Sequence, residues 1–340
     1  MNFKNLNLIT KFALLISILL SQQALADKLI LKNGSTLIGT IISKQNDTLE
    51  FKTPYAGTIM VNLGNIVEIE SDKPLKLMLK DKTIKQVKHL LVEDKKIKIN
   101  GSQENIQLSD MQYINPKPWQ IGQSYKRQGA VNLALEFKEG NTKSQNVKID
   151  GKLGFRGMDD RFTFSGQVEN NESEQVKTAN NWLFSAKYDY FFHKKSFLGV
   201  SAIFESDKIA ELDLKQVYGV HLGHQYFESE SLNLSINAGL AQSYEDNFNV
   251  PQQKYLSGTW ELDYEQFILA GVLQYYHRQL GLYSFENSDD YSIKTWTGFK
   301  FPLKSGFSLS TEAQINYDNK VVSGNDKIDS TYLLKLGYDY

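Results

Sequence analysis

Histidine is the residue type in this sequence most easily tested for catalysis, because acyl transfer needs a histidine beside a nucleophile. His221 and His224 are three residues apart on one predicted strand, so their side chains face opposite sides and cannot share a site. His277 lies in "YYHRQ", the neighbourhood most compatible with catalysis, but no nucleophile accompanies it at an interpretable spacing. The remaining histidines are His89 and His193. We therefore expect no catalytic residue, and a lipid-modifying enzyme remains the minority alternative.

Metal and cofactor chemistry have equally little support. The chain has no cysteine, which excludes thiolate metal sites, thiol nucleophiles and disulfides. It contains no H-x-x-x-H pair, no acidic Ca²⁺ loop and no phosphate-binding glycine loop. A net charge of −1 gives no field that would attract nucleic acid. We expect no metal, no cofactor and no nucleic-acid partner.

The first 26 residues have the pattern of a signal peptide. Lys4 and Lys11 precede the apolar run "FALLISILL", and Ala24-Leu25-Ala26 forms an A-x-A cleavage site. The alternative is a membrane anchor, but the run is well short of the ~20 residues that a helical span requires. The sequence predicts cleavage before Asp27 and export of the rest. Because no later stretch offers a helical span, entry into a membrane would need a barrel.

Residues 129–340 read as a series of strands that alternate apolar and polar side chains. "AVNLALEF", "NVKIDGKLGF" and "NWLFSAKYDY" show the pattern, and about twelve such segments can be counted. Long polar connections, such as the loop predicted at 169–181, alternate with short ones, such as the turn predicted at Glu265-Gln266, and aromatic residues fall near strand ends. The segment "FILAGVLQYYHRQL" is apolar on both parities, so its faces cannot be assigned. The sequence predicts an all-β protein with an antiparallel transmembrane β-barrel of about 12 strands.

The polar positions of these strands would face the lumen, and they carry both signs of charge. Such a lining tolerates a water-filled pore, and equally its charges could interlock and close the barrel. The predicted lumen-facing residues are Glu136, Lys148, Asp150, Lys152, Arg156, Lys187, Asp189, Glu205, Glu261, Asp263, Lys294, Lys300, Glu312 and Lys335.

Residues 27–116 contain an internal repeat. The stretch Leu29–Lys32 matches Leu77–Lys80, and "NIVEIESDKP" matches "DMQYINPKP" at the end of each half. The repeat of roughly 45 residues predicts two tandem small SH3-like or Sm-like β-modules in the periplasm. They would bind an envelope protein or a glycan, or serve only as a spacer. A linker at 117–128 would join them to the barrel.

The last strand, "STYLLKLGYDY", ends on an aromatic residue after alternating apolar positions. In this it resembles the bacterial outer-membrane barrels whose final strand is read by the barrel-assembly machinery. That resemblance implies an assembly signal at Leu334, Leu336, Tyr338 and Tyr340.

Residues 129–340 resemble the DUF481 family of salt-induced outer-membrane proteins of Gram-negative bacteria. The resemblance rests on the "GNT" turn Gly140-Asn141-Thr142 and on "NWLFSAKYDYFFHKKSFLGVSAIFESD". It implies an outer-membrane location in contact with lipid and adds no activity.

The leading functional hypothesis is a narrow passive channel for ions or small solutes. The alternative is a closed structural or adhesive barrel whose periplasmic modules bind an envelope partner.

Overall fold

The computed structural model describes residues 26–340, except 46, 94–95, 101, 108–109, 139–142, 230, 249, 270 and 321–325. The predicted signal peptide, apart from Ala26, and the "GNT" turn therefore lie outside the described residues. The chain divides into two compact units, Met1–Ile121 and Gly122–Tyr340. No described helix is long and apolar enough to cross a membrane.

The N-terminal unit consists of eleven strands in a single sheet. Short 3₁₀ turns among its described residues include Leu63–Asn65 and Pro118–Ile121. The strands are β1 Asp27–Leu31, β2 Thr36–Gln45, β3 Thr48–Thr53, β4 Gly57–Asn62, β5 Ile66–Ser71, β6 Leu75–Leu79, β7 Ile84–Val87, β8 Leu90–Glu93, β9 Lys96–Ile99, β10 Ser102–Gln107 and β11 Met111–Ile114.

The sequence repeat reappears as a repeat of topology. In the first half β1 pairs with β2 and β5, and in the second half β6 pairs with β7 and β11. The halves are interlocked, because β5 pairs with β8 and β11 pairs with β2. The all-β class and a β-sheet unit before the barrel are confirmed. The two repeats share one sheet, an arrangement that the repeat alone could not distinguish from two neighbouring barrels.

One apolar core fills this unit, and both halves contribute to it. Leu29 and Phe51 of the first half and Leu77 and Ile97 of the second are completely buried in the same cluster. Alternation along the short strands turns one side of each inward, so burial of these side chains excludes water from the interior.

The C-terminal unit is a closed antiparallel barrel of twelve strands, which confirms the predicted architecture. A 3₁₀ turn, Lys304–Gly306, precedes the eleventh of them. The strands are β12 Lys126–Lys138, β13 Ser144–Arg156, β14 Asp160–Ser173, β15 Val176–Tyr190, β16 Ser196–Asp207, β17 Leu212–Glu228, β18 Leu232–Asn247, β19 Val250–Leu269, β20 Leu273–Ser284, β21 Tyr291–Pro302, β22 Phe307–Asp318 and β23 Ile328–Asp339.

The last strand closes the ring against the first. Ala130–Leu133 of β12 pair with Leu336–Asp339 of β23, and Gly129 and Tyr340 exchange backbone hydrogen bonds of 3.0 Å. We call the end that carries Lys126 and Tyr340 the near end, and the opposite end, where β12 joins β13, the far end. The terminal tyrosine is thus held in the ladder that removes a free sheet edge.

Three boundaries differ from the sequence prediction. β12 begins at Lys126, inside the predicted linker. The connection between β19 and β20 was predicted at Glu265-Gln266, but β19 continues to Leu269. The predicted long loop 169–181 is mostly strand, because β14 ends at Ser173 and β15 begins at Val176. The polar residues of that stretch therefore lie in a strand extension rather than in a loop.

Candidate functional site: the barrel lumen

Charged side chains inside the barrel bond across the lumen. Lys152 of β13 pairs with Asp263 of β19, and these strands stand six places apart in the ring of twelve, directly opposite each other. Lys187 of β15 pairs with Glu261 of β19, next to Asp263 on the same face. Because one pair of side chains is enough to span the lumen from wall to wall, the passage is narrow at this level.

Arg278 of β20 lies beside these pairs and extends the bridge. Its Nη2 is 3.5 Å from Glu261 Oε1 and 3.3 Å from Ser165 Oγ on the opposed strand β14. The guanidinium also lies 5.3 Å from the ring centroid of Trp296, whose Nε1 donates a 3.2 Å hydrogen bond to Gln167. Arginine can stack on an aromatic face while its fork binds carboxylates, which suits this crowded position.

A second cluster lines the wall near β23. Lys335 Nζ lies 2.9 Å from Asp150 and 2.7 Å from Glu312, and its side chain is 4% exposed. Tyr276 donates a 2.8 Å hydrogen bond to the same Glu312. Lys148 contacts Glu169 at 2.7 Å on the neighbouring strand. Removing one member of such a cluster would leave a buried charge without its partner.

The near end is filled by an arginine and aromatic cluster. Asp189 is 1% exposed and accepts from Arg161 Nη2 at 2.8 Å, with His221 Nε2 2.7 Å from its other oxygen. Phe197 is completely buried beside them, and a Cβ at Gly223 would lie 2.2 Å from its ring. The lumen therefore needs glycine at this position for the ring to fit.

Arg156 completes this near-end cluster and joins it to the rim. Its guanidinium lies 3.9 Å from the Phe191 ring centroid, and its Nε is 2.9 Å from Glu228. Just outside the first strand, Tyr125 donates a 2.8 Å hydrogen bond to Asp160. That bond raises the pKa of Tyr125, because the phenol loses it on ionisation.

Toward the far end two further pairs cross or line the lumen. Lys294 of β21 pairs with Glu205 of β16. Lys215 lies 3.2 Å from Glu245, which also accepts a 2.8 Å hydrogen bond from Tyr255. Charged partners thus follow one another through most of the interior.

All fourteen predicted lumen residues lie on the inner face of their strands or at its rim. Two of them have not been described above. Lys300 pairs with Asp339, and Glu136 accepts a 2.7 Å hydrogen bond from Asn146 at the far end. The structure brings Lys152, Lys187, Glu261 and Asp263 together, and it leaves Glu136 apart from them.

Several interior residues were missed at the sequence level. Arg278 and Tyr276 lie in the segment whose faces could not be assigned, and the turn at 271–272 makes both point inward. Trp296 shares the parity of Lys294 and Lys300, so alternation could have found it. Arg161 and His221 also lie at the alternate, inward-facing positions of their strands, so the same rule could have found them.

The histidines occupy separate environments. His221 is buried against Asp189, whereas His224 contacts Ser196 at 3.1 Å and the Tyr226 ring. His277 Nδ1 lies 2.7 Å from Thr297 Oγ1, while its neighbour Arg278 points into the lumen. In the N-terminal unit, His89 Nδ1 lies 2.6 Å from the Ser71 carbonyl.

The outer wall is apolar. Val200, Val220 and Leu240 stand side by side on successive strands and are 53%, 55% and 52% exposed. The proposed assembly-signal residues Leu334, Leu336, Tyr338 and Tyr340 share this outward orientation. Outward apolar and inward polar side chains are the arrangement of a membrane-spanning barrel.

The family model described as "Protein of unknown function, DUF481" matches residues 131–340. This chain belongs to the DUF481 family. The match begins at Val131 within β12 and runs through all the later strands, which confirms the resemblance noted in the sequence. A comparison with curated protein sequences gives no match.

Solved structures similar to this DUF481 protein include a porin, an outer-membrane channel and an autotransporter translocator domain. The NanC porin has 7% identity and a TM-score of 0.39, with 62% of this chain and 97% of that chain covered. The outer-membrane channel DcaP of Acinetobacter baumannii has 10% identity and a TM-score of 0.33, covering 93% and 94%. The translocator domain of autotransporter NalP from Neisseria meningitidis has 8% identity and a TM-score of 0.33, covering 64% and 88%. The architecture rests on the strand pairing above, not on these scores.

Proposed function

We propose that the protein is an outer-membrane barrel that forms a narrow passage for ions or small solutes, shut in the described state by ion pairs across its lumen. The observation that carries the proposal is the bonding of Lys152 and Lys187 to Asp263 and Glu261 on a facing strand. The groups that shut the lumen are charged side chains, which water and salt can separate without moving a strand. Export, the outer-membrane location and a periplasmic N-terminal unit belong to the same proposal, supported by the signal-peptide pattern and the apolar outer wall.

A closed structural barrel is the second candidate, and the near-end cluster favours it. Phe197 and Arg156 are packed there at 0% and 8% exposure, so this end holds little room for a solute. In that case the barrel would serve to anchor the N-terminal unit, which would bind an envelope protein or glycan. We propose no enzymatic role, because His277 and Arg278 point to opposite sides of the wall.

Single-channel recording in a planar bilayer separates the two candidates. The unaltered protein should give small, infrequent steps. Replacing both pairs with serine (Lys152→Ser, Asp263→Ser, Lys187→Ser and Glu261→Ser) should enlarge those steps several-fold. The control is Glu172→Ser with Lys177→Ser, an exposed pair at the far-end hairpin whose loss should change nothing. Silence from both the unaltered protein and the lumen variant, when both migrate as folded barrels on a gel, would favour the closed barrel.

A further inference from the structure

The seam between β12 and β23 is paired along only part of its length. The ladder runs from Gly129–Tyr340 to Leu133–Leu336 and ends there. On the same register Ala134 and Leu135 would face Lys335 and Leu334, but the structure pairs neither of them with β23. Both strands continue toward the far end, β12 along β13 and β23 along β22. The described strands therefore join this one seam by backbone pairs in its near half only.

The outward-facing side chains of β23 are more exposed in its unpaired half. Tyr332 is 79% exposed, more than any other large apolar side chain of the described barrel strands. Leu334, next to it on the outer face, is 62% exposed, compared with 47% for Tyr338 in the paired half. The outer edges of the unpaired half, formed by these residues and Leu135, are apolar and suit an acyl chain.

A cavity lies inside the barrel beside this seam, and charged side chains are among its lining residues. This cavity, of about 160 Å³, is lined by Asn132 of β12 and Lys335 of β23, so both seam strands form its wall. Arg278 lines the same cavity, and its buried Nε has no hydrogen-bond partner among the described residues. This N–H has almost no accessible surface, so the Arg278 side chain must rotate before an anionic oxygen can accept a hydrogen bond from it.

We propose that the far half of the β12–β23 seam is a lateral opening through which an anionic lipid of the surrounding bilayer enters the lumen. Its head group would accept a hydrogen bond from Arg278, and its acyl chain would leave between Leu135 and Leu334. An anionic lipid fits this seam because the outer edges of the unpaired half are apolar and cationic side chains, including Lys335 and Arg278, lie inside the barrel. The inference rests on the proposed membrane location and needs no conduction of solutes.

Cysteine cross-linking tests the opening, and a cysteine-free chain suits it. The test pair is Leu135→Cys with Leu334→Cys in the unpaired half. The matched control is Val131→Cys with Tyr338→Cys, which faces the same side and is paired in the ladder. Mild oxidation in vesicles should link the control pair several-fold faster, because a disulfide needs closely spaced Cα atoms. Equal rates would show a closed seam and overturn the proposal. A control pair that does not link would instead indicate a failure of the barrel itself.

Fluorescence of Trp296 tests lipid entry. Trp119→Phe, Trp182→Phe and Trp260→Phe leave this lumen residue as the sole tryptophan. In vesicles of phosphatidylglycerol whose acyl chains are brominated next to the glycerol, close to the head group, its emission should be quenched. Bridging the Leu135→Cys and Leu334→Cys positions with a short bismaleimide should remove the quenching. The tethered protein is also the control for quenching of Trp296 by lipid that stays outside the barrel. Arg278→Gln should weaken the quenching without changing the cross-linking. Quenching that survives the tether, or no quenching at all, would contradict lateral entry.

Discussion

The two units of this protein use the same strand alternation with opposite results. In the N-terminal unit the apolar positions form a dry core, with Leu29 and Phe51 completely buried. In the barrel the apolar positions face outward, as at Val220, while Lys335 and Asp189 are 3% and 1% exposed inside. Alternation fixes which side chains share a face. The medium on each side decides which face is turned inward.

The largest expected effect breaks the dry core. Phe51→Ala should cost the N-terminal unit about 3–5 kcal/mol in free energy of unfolding, through lost burial and the cavity left behind. Urea denaturation followed by circular dichroism measures it. Tyr55→Ala, at a completely exposed position, is the control and should leave the midpoint unchanged. A small effect at Phe51 would mean that the core is not packed as described.

The corresponding change in the barrel removes a charge rather than a ring. Glu261→Ala should destabilise the barrel by about 3 kcal/mol, because Lys187 and Arg278 lose their shared buried carboxylate. Unfolding in lipid vesicles measures it. Replacing Lys187 and Glu261 together with methionine should recover much of the loss. If the double replacement is as damaging as the single one, the pair is not the source of the effect.

A third substitution compares two exposed apolar residues in different surroundings. Val220→Lys on the outer wall should cost about 2 kcal/mol, since the charge would face hydrocarbon. Ile38→Lys on the N-terminal unit, 58% exposed, should stay within about 0.5 kcal/mol because water receives the charge. Vesicle unfolding for the first and urea unfolding for the second give the two values. Equal values would remove the distinction between the surfaces.

The smallest effect is expected at an ion pair of the barrel that is exposed to water. Lys177→Ala breaks an exposed pair with Glu172 at the far-end hairpin and should cost less than about 1 kcal/mol. The same vesicle unfolding assay reports it. A cost comparable to that of Glu261→Ala would show that this hairpin is not in water.

The sequence was sufficient for the strands, the ring and most inward charges, because alternation is local. The turn at 265–266 was wrong because Glu265 is polar as a lumen residue, whereas Gly271, with φ of +70°, makes the real bend. The loop at 169–181 was wrong because strands that leave the lipid band become polar on both faces. Its two-residue turn, Glu174-Gln175, has positive φ without the usual glycine or asparagine.

The contacts across the lumen could not be predicted from the sequence. Asp189 and His221 lie on different strands, and Lys152 and Asp263 are far apart along the chain. Which of them meet depends on the stagger of twelve strands around the ring, and no single strand carries that information. The interlocking of β5 with β8 and of β11 with β2 escaped prediction for the same reason.

The most direct test of the account is gel migration of the protein refolded into lipid vesicles, with and without boiling. A twelve-stranded barrel whose last strand is hydrogen-bonded to its first resists detergent at room temperature. The account predicts two distinct bands, one for the compact barrel and one for the boiled chain. Glu261→Ala should lower the temperature at which the compact band disappears. A single band that does not change on boiling would contradict the membrane barrel on which the lumen and the seam both depend.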